Sequence, residues 1–382
     1  MVADALRAAL DGEVIGPEDA GFELRRKTFN AMVDARPAAI ARCASRADVI
    51  AALALAADRG LPVAVRGGGT SDAAVVDGGI QIDLTELDTI EVDAASRTAR
   101  VGGGVTWGDL DAATHEHGLA VTGGRLSGLG VVGVARGEGS GWLERALGPT
   151  AASVIGAELV LPDGRVVEAG AEEALRGRGV ITRLDLRLHP VGPQLLCGFL
   201  GFPRERAGEV ARAYRDYMAQ ASDKVGGGLL LGAGLGGVCT IVFCYLGAIE
   251  AGEEAVAPLR ALRPSLDAVA PNPYVAFQRI WDASNPAGAR GHLWSSFLRE
   301  LPDDCIDAVI ARANLPAATL SYAFLRPLDG ALAIPDAAWA CQCVGLWPPV
   351  PALDGGQIEW VDGFAQAVEA VQVSGSSSSP AP

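Results

Sequence analysis

The sequence predicts an α+β chain of two domains, and three observations carry that prediction. Its 382 residues, 49% of them hydrophobic, suffice to fill two cores of ordinary domain size. Residues up to 194 alternate short helical and strand patterns around glycine-rich turns, whereas the later chain sets longer helices between apolar strand runs. Between them stands Pro190-Val191-Gly192-Pro193, which sustains neither period. The expected division is 1–194, 195–372 and a polar tail over 373–382, whose Ser, Gly and Pro cannot bury enough apolar surface to order the backbone.

In the first domain, Ser45 and Asp48 make a capping-box pattern opening a helix over 47–59, and Gly60 closes it where a left-handed residue is wanted. A strand follows over 61–65, then the run Arg66-Gly67-Gly68-Gly69-Thr70-Ser71. Residues 80–84 read as a strand and 90–101 as a hairpin with apolar and polar positions alternating. Thr106 and Asp109 cap a helix over 107–117, stopped by Gly118. Beyond the glycine-rich stretch 123–141, segments 157–161 and 165–169 flank the turn Pro162-Asp163-Gly164, and 180–189 alternates as the last strand. The second domain is expected to hold helices over 204–221 and 252–262, with strands around 228–231 and 238–246 in an antiparallel sheet.

A net charge of −15 without a basic stripe repels nucleic acid and anionic membrane, leaving a small hydrophobic molecule as the expected partner. The first sixteen residues carry Asp4, Asp11 and Glu13 and no unbroken apolar run, so neither a leader nor a membrane span is expected, and the location expected is cytoplasmic. Seven cysteines without a CxxC pair fit reduced, buried thiols, with Cys341 and Cys343 on one strand face. No HExxH, Cys/His cluster or calcium loop is present, so no metal is expected.

Three consecutive glycines after a strand free backbone N–H groups to converge on an anion, because no side chain blocks the approach. Gly67, Gly68 and Gly69 therefore read either as a phosphate cradle or as a tight turn between strands. Gly128-Leu129-Gly130-Val131-Val132-Gly133 matches GxGxxG, but it lacks the strand-then-helix setting and the acidic residue of a Rossmann site. GxxxxGK[ST] does not occur, which excludes a P-loop.

The Arg66 to Ser71 run is followed by Asp77-Gly78-Gly79-Ile80-Gln81-Ile82-Asp83-Leu84, by Gly102-Gly103-Gly104-Val105-Thr106-Trp107-Gly108-Asp109 and by His117-Gly118-Leu119-Ala120. Together these motifs resemble the FAD-binding module of the vanillyl-alcohol oxidase and p-cresol methylhydroxylase (PCMH) superfamily, in particular its bacterial berberine-bridge-enzyme-like branch. The resemblance continues through Gly123-Gly124-Arg125, Gly139-Ser140-Gly141-Trp142-Leu143, Pro162-Asp163-Gly164 and Leu188-His189-Pro190-Val191, and resumes at Pro273-Tyr274 and Ser296-Phe297-Leu298. It implies a two-subdomain PCMH-type FAD-binding fold followed by an α+β substrate domain whose sheet roofs the flavin pocket. It assigns FAD to Arg66, Gly67, Gly68, Gly69, Thr70 and Ser71, to Gly124, Gly128, Gly137, Gly139 and Gly141, and to Val180.

The departures fall where redox chemistry belongs. The family's flavin-linking histidine is Thr70 here, and the second attachment point, a cysteine in bicovalent members, falls near Leu126. Any flavin is therefore expected to be noncovalent. Gly137-Glu138-Gly139 sets a carboxylate amid glycines, and Arg136 beside it is expected either to pair with Glu138 or to enter the cleft. A cofactor-lining loop is cut to residues 172–182, and the family's C-terminal Tyr-x-Asn extension is absent.

A flavin oxidation needs a base within reach of the substrate proton. His292 and Tyr322 are the candidates: His292 precedes Trp294 at a position that can face the pocket, and Tyr322 reads as a strand residue that can point to the same pocket. His115 and His117 are expected at the surface and His189 in a structural role, while Trp339 and Trp347 either wall an apolar ligand or fill the second core. Three functions remain open at this point: an FAD-linked oxidoreductase, a redox-silent cyclase or isomerase that has lost FAD, and a non-catalytic binding protein.

Overall fold

The computed structural model describes residues 1–137, 139–232, 239–318 and 320–373. In the first sheet, Ala39–Arg42 and Val63–Arg66 flank Ile80–Asp83 in parallel, and Val14–Ile15 joins the edge antiparallel. Parallel neighbours require a crossover, and the helix Arg46–Arg59 supplies it, laying Val49, Ala52 and Ala56 on Ile80 and Ile82. Its start is fixed by Asp48, whose carboxylate accepts from Ala44 N at 2.9 Å, Ser45 N at 3.2 Å and Asp11 N at 2.8 Å. Gly60 ends it at φ +62°. The expected strand over 61–65 begins later, at Val63, because Leu61 N still donates to Ala56 O at the end of the helix.

The second sheet runs antiparallel in the order Ile90–Asp93, Thr98–Gly102, Val180–Arg187, Val154–Val160, Val166–Gly170. Its last turn closes at Gly164, where φ is +81°. The helix Trp107–His115 stops two residues short of expectation, and Thr106 Oγ donates to the Asp109 carboxylate instead of accepting from the backbone. His189–Pro190 leaves the sheet to pair with Leu119–Ala120.

The third sheet is eight-stranded and antiparallel, with Leu195–Phe202, Cys239–Tyr245, Val225–Gly232, Tyr322–Pro327, Trp339–Trp347 and Arg290–Leu298 as its main path. The helices Ala207–Met218, Ile249–Arg260, Asp303–Ala313 and Asp354–Val368 cover one face. The expected helix over 204–221 is thus preceded by a 3₁₀ turn at Arg204–Arg206, and that over 252–262 starts three residues early. The other face carries Leu195, Leu230, Val242, Tyr322, Phe324, Val344 and Leu346, and these pack on Trp142 and Leu143 of the first half. Burial on both faces explains why these strands read as apolar runs. The contact is so close that a Cβ at Gly226 would lie 1.9 Å from Trp142 O. All seven cysteines are buried and unbridged, and Cys341 Sγ and Cys343 Sγ lie 3.9 Å apart on the helix-covered face.

No helix among the described residues is long and apolar enough to cross a membrane. The expected tail over 373–382 lies outside the described residues beyond Val373. Asp48→Ala removes three acceptor contacts at once and is expected to lower stability by about 1–2 kcal/mol. Urea unfolding checks this: the midpoint falls while the slope stays unchanged.

Candidate functional site

Three glycine segments meet at the C-terminal ends of the first sheet. A Cβ at Gly68 would sit 2.4 Å from Gly130 N and 2.8 Å from Gly128 O, so the first loop touches the second backbone to backbone. A Cβ at Gly67 would approach Gly103 O at 2.9 Å, and one at Gly103 would approach Ile181 O at 2.4 Å, which brings the neighbourhood of Val180 to the same place. Gly69 has φ +76°, which strains any side chain. Among the described residues, the amides of Gly68, Gly69, Thr70 and Ser71 donate to no backbone carbonyl. Arg66 does not offer its guanidinium to this space: Nη1 donates to Arg25 O at 2.7 Å and Lys27 O at 2.8 Å, and the side chain folds over Gly69. It is a brace for the loop.

The second glycine stretch is anchored at several points. Gly124 O accepts from Gln278 Nε2 at 3.2 Å, Gly139 O accepts from Thr150 N at 3.2 Å, and Gly141 N donates to Glu144 Oε2 at 2.9 Å. Gly137 N donates to Gly133 O at 3.0 Å at the end of the helix Val131–Arg136. Ser127 is held to Asp282 of the later chain through its amide at 2.9 Å and its hydroxyl at 2.6 Å. Glu138 lies outside the described residues. Arg136 instead donates to the carbonyls of Leu175, Gly177 and Gly179, tying the shortened loop to this helix.

Beneath the loops stands an aromatic wall. Trp142 packs on Phe277 at 5.2 Å and Trp281 at 4.9 Å, and Trp281 packs on Tyr322 at 5.5 Å and Phe324 at 5.2 Å. Leu126, the position of the second flavin link, lies against this cluster. Tyr322 lies on the sheet face that packs on Trp142, within this aromatic cluster. His292 does not: it projects from the opposite face of the sheet and pairs with Asp362 of the covering helix at 2.8 Å. Register fixes this, since strand neighbours two apart share a face and His292 travels with Trp294, not with Leu293. Trp339 packs on Tyr214 in the helix-covered core, and Trp347 Nε1 donates to Asp354 at 2.9 Å, so neither walls the site. His117 is exposed, His115 is half-buried, and His189 contacts Ser153 Oγ at 3.1 Å. A surface groove of about 590 Å³, lined by residues 190–194, Lys224 and residues 246–249, holds none of the expected site residues.

Residues 37–170 match the FAD binding domain family. The chain is 32% identical over 284 residues to (R)-6-hydroxynicotine oxidase of Paenarthrobacter nicotinovorans, an alignment covering 70% of this chain and 62% of that protein. The crystal structure of 6-hydroxy-D-nicotine oxidase from Arthrobacter nicotinovorans superposes with a TM-score of 0.86 at 25% identity, covering 96% of this chain and 88% of the other. Residues 37–170 thus carry an FAD binding domain, and the chain has the fold of that solved oxidase. The berberine-bridge-like 1 protein of Physcomitrella patens shares the fold with a TM-score of 0.86 at 18% identity, over 98% of this chain and 89% of that one. The chain thus spans less than two thirds of the length of that first curated flavoprotein relative.

The first loop would suit the pyrophosphate of FAD: its amides donate to no backbone carbonyl among the described residues, Gly69 is left-handed, and a Cβ at Gly67 or Gly68 would collide. Sequence reasoning missed two neighbours of this site, Asp111 and Gln278. Asp111 is fully buried on the inner face of the helix Trp107–His115, a placement legible in its 107-111-114 spacing with Trp107 and Thr114. Its Oδ2 accepts from Gln278 Nε2 at 3.2 Å, and its Oδ1 is buried without a partner. Burial pushes this carboxyl up to about 7, outweighing the Gln278 bond and the charge of Arg279.

A carboxyl whose folded pKa exceeds its unfolded value takes up a proton on folding, so its contribution to stability falls as pH rises from the ordinary carboxylate range to about 7. Asp111→Asn is therefore expected to be more stable than the parent above pH 7. The gap should shrink by up to about 1.4 kcal/mol per pH unit between 7 and 4. Thermal unfolding across that range checks it, and a gap independent of pH would assign Asp111 a purely steric role.

Proposed function

We propose that this chain is an FAD-linked oxidoreductase that holds its flavin noncovalently and oxidises a hydrophobic small molecule. The observation that carries this reading is the meeting of Gly67, Gly68 and Gly69 with Gly103, Gly128 and Gly130, beside amides that donate to no backbone carbonyl among the described residues. When bound, FAD supplies a hydride acceptor. Thr70 offers no imidazole for a covalent link, so retention rests on the glycine amides and on the braces at Arg66 and Arg136.

The aromatic wall of Trp142, Trp281, Tyr322 and Phe324 excludes water from the side facing the sheet. Burial raises the Tyr322 phenol far above neutrality, which keeps the proton on its oxygen at pH 7. Tyr322 acts in this proposal by donating a hydrogen bond that orients the substrate. The division near residue 194 into flavin and substrate domains belongs to the same proposal, as does a cytoplasmic location, supported by the reduced thiols.

The purified protein, incubated with FAD and passed through gel filtration, should carry visible flavin bands, and denaturation should release all of the flavin. Gly68→Ala, which sets a methyl group 2.4 Å from Gly130 N, should weaken FAD retention by about tenfold or more. A colourless protein that does not retain added FAD would contradict this function and favour the redox-silent use of the fold.

A further inference from the structure

The buried charges at the interface do not cancel. Arg125 and Arg326 both donate to one oxygen of Glu144, each at 3.0 Å. These side chains are 7%, 10% and 4% exposed respectively, and Glu144 is the one carboxylate paired with either guanidinium among the described residues. Two cations share one anion. Arginine does not shed its proton in a protein, so one positive charge remains uncompensated where desolvation of a lone charge costs several kcal/mol. The nearby cation Arg145 has its own carboxylate in Asp329.

The hydrogen-bonding inventory has the same sign. Arg125 Nε and Trp142 Nε1 are buried donors with no acceptor among the described residues, and the two groups touch, the guanidinium lying 5.0 Å from the Trp142 ring centroid. Arg125 also stacks on Phe324 at 5.2 Å, and its remaining bonds go to Ser140 Oγ at 2.8 Å and Gly141 O at 3.4 Å. The Tyr322 hydroxyl has no hydrogen bond among the described residues, and its ring packs on Trp281 at 5.5 Å, which in turn packs on Trp142 at 4.9 Å. Surplus charge, unused donors and aromatic rings thus share one place between the second glycine stretch and the sheet.

We propose that Arg125, with Trp142 and Tyr322, binds the carboxylate of an aromatic organic acid, and that the oxidised substrate belongs to this class. The second half of that statement rests on the oxidoreductase reading; the binding itself does not. The negative oxygen could also come from FAD, and the test separates the two sources.

The full chain, with and without added FAD, is titrated with benzoate and with its neutral counterpart benzamide, following tryptophan fluorescence and the unfolding midpoint. Benzoate should quench the fluorescence and raise the midpoint, and benzamide should need at least about ten times the concentration. Arg125→Met leaves Glu144 paired with Arg326 alone, a balanced pair, so it should fold and bind the two probes alike. Glu144→Gln, which adds to the surplus charge, should tighten benzoate. Equal binding of both probes by the parent protein overturns the proposal, and so does a benzoate preference that survives in Arg125→Met. If Arg125→Met loses FAD while benzoate has no effect on the parent, the anion is the cofactor's and the carboxylate site is wrong. A benzoate preference in a protein that retains no FAD keeps the site and removes the oxidoreductase reading.

Discussion

One carboxylate holds the two halves of this protein together at the point that matters for function. Glu144 follows the glycine stretch in sequence, accepts from Gly141 N and Arg125 on its own side, and reaches Arg326 on the eight-stranded sheet. Buried ions of this kind are poor sources of net stability, but the loss of one partner strands a charge, so they fix geometry firmly. Fixing Glu144 fixes Trp142 on Phe324 and Trp281, and this in turn sets where the second glycine loop lies against the first. Arg145, next in the chain, repeats the device by tying the same turn to Asp329 and to Ser222 O at 2.9 Å.

The first loop keeps amides that donate to no backbone carbonyl among the described residues, while Thr70 and Leu126 stand where the resemblance places the groups that bond flavin covalently. The replacements are not neutral vacancies. Leu126 has become part of the aromatic packing, and Arg136 braces the shortened loop through the carbonyls of Leu175, Gly177 and Gly179. The change near Leu126 exchanges a bond to the cofactor for contacts within the protein, and Arg136 adds a brace to the loop beside it. In the function proposed above, such a site would bind a flavin by shape and backbone amides and leave the sheet face to Tyr322.

Local features were legible in the sequence because their physics is local. Ser45 with Asp48, Gly60 and Gly164 act within a few residues of themselves, and each sits where its pattern places it. The strand at Val63 starts late because the end of a helix competes for Leu61, a contest that strand periodicity does not register. His292 shows a deeper limit. Only its nearness to Trp294 was legible; the covered face is chosen by the helix Asp354–Val368, more than sixty residues away, and that choice turned the imidazole toward Asp362. In the Arg125, Glu144 and Arg326 group, Glu144 and Arg326 stand 182 residues apart. Its only local trace is a charged residue set within glycine and apolar neighbours. Asp111 was within reach, since helical spacing alone places it on the buried side.

The central claim, that the glycine loops still admit FAD without a covalent anchor, is tested most directly by calorimetric titration of the full-length protein with FAD. The account predicts a saturable heat with one FAD per chain. A titration with no heat beyond dilution, for a protein shown to be folded by its unfolding transition, would contradict it.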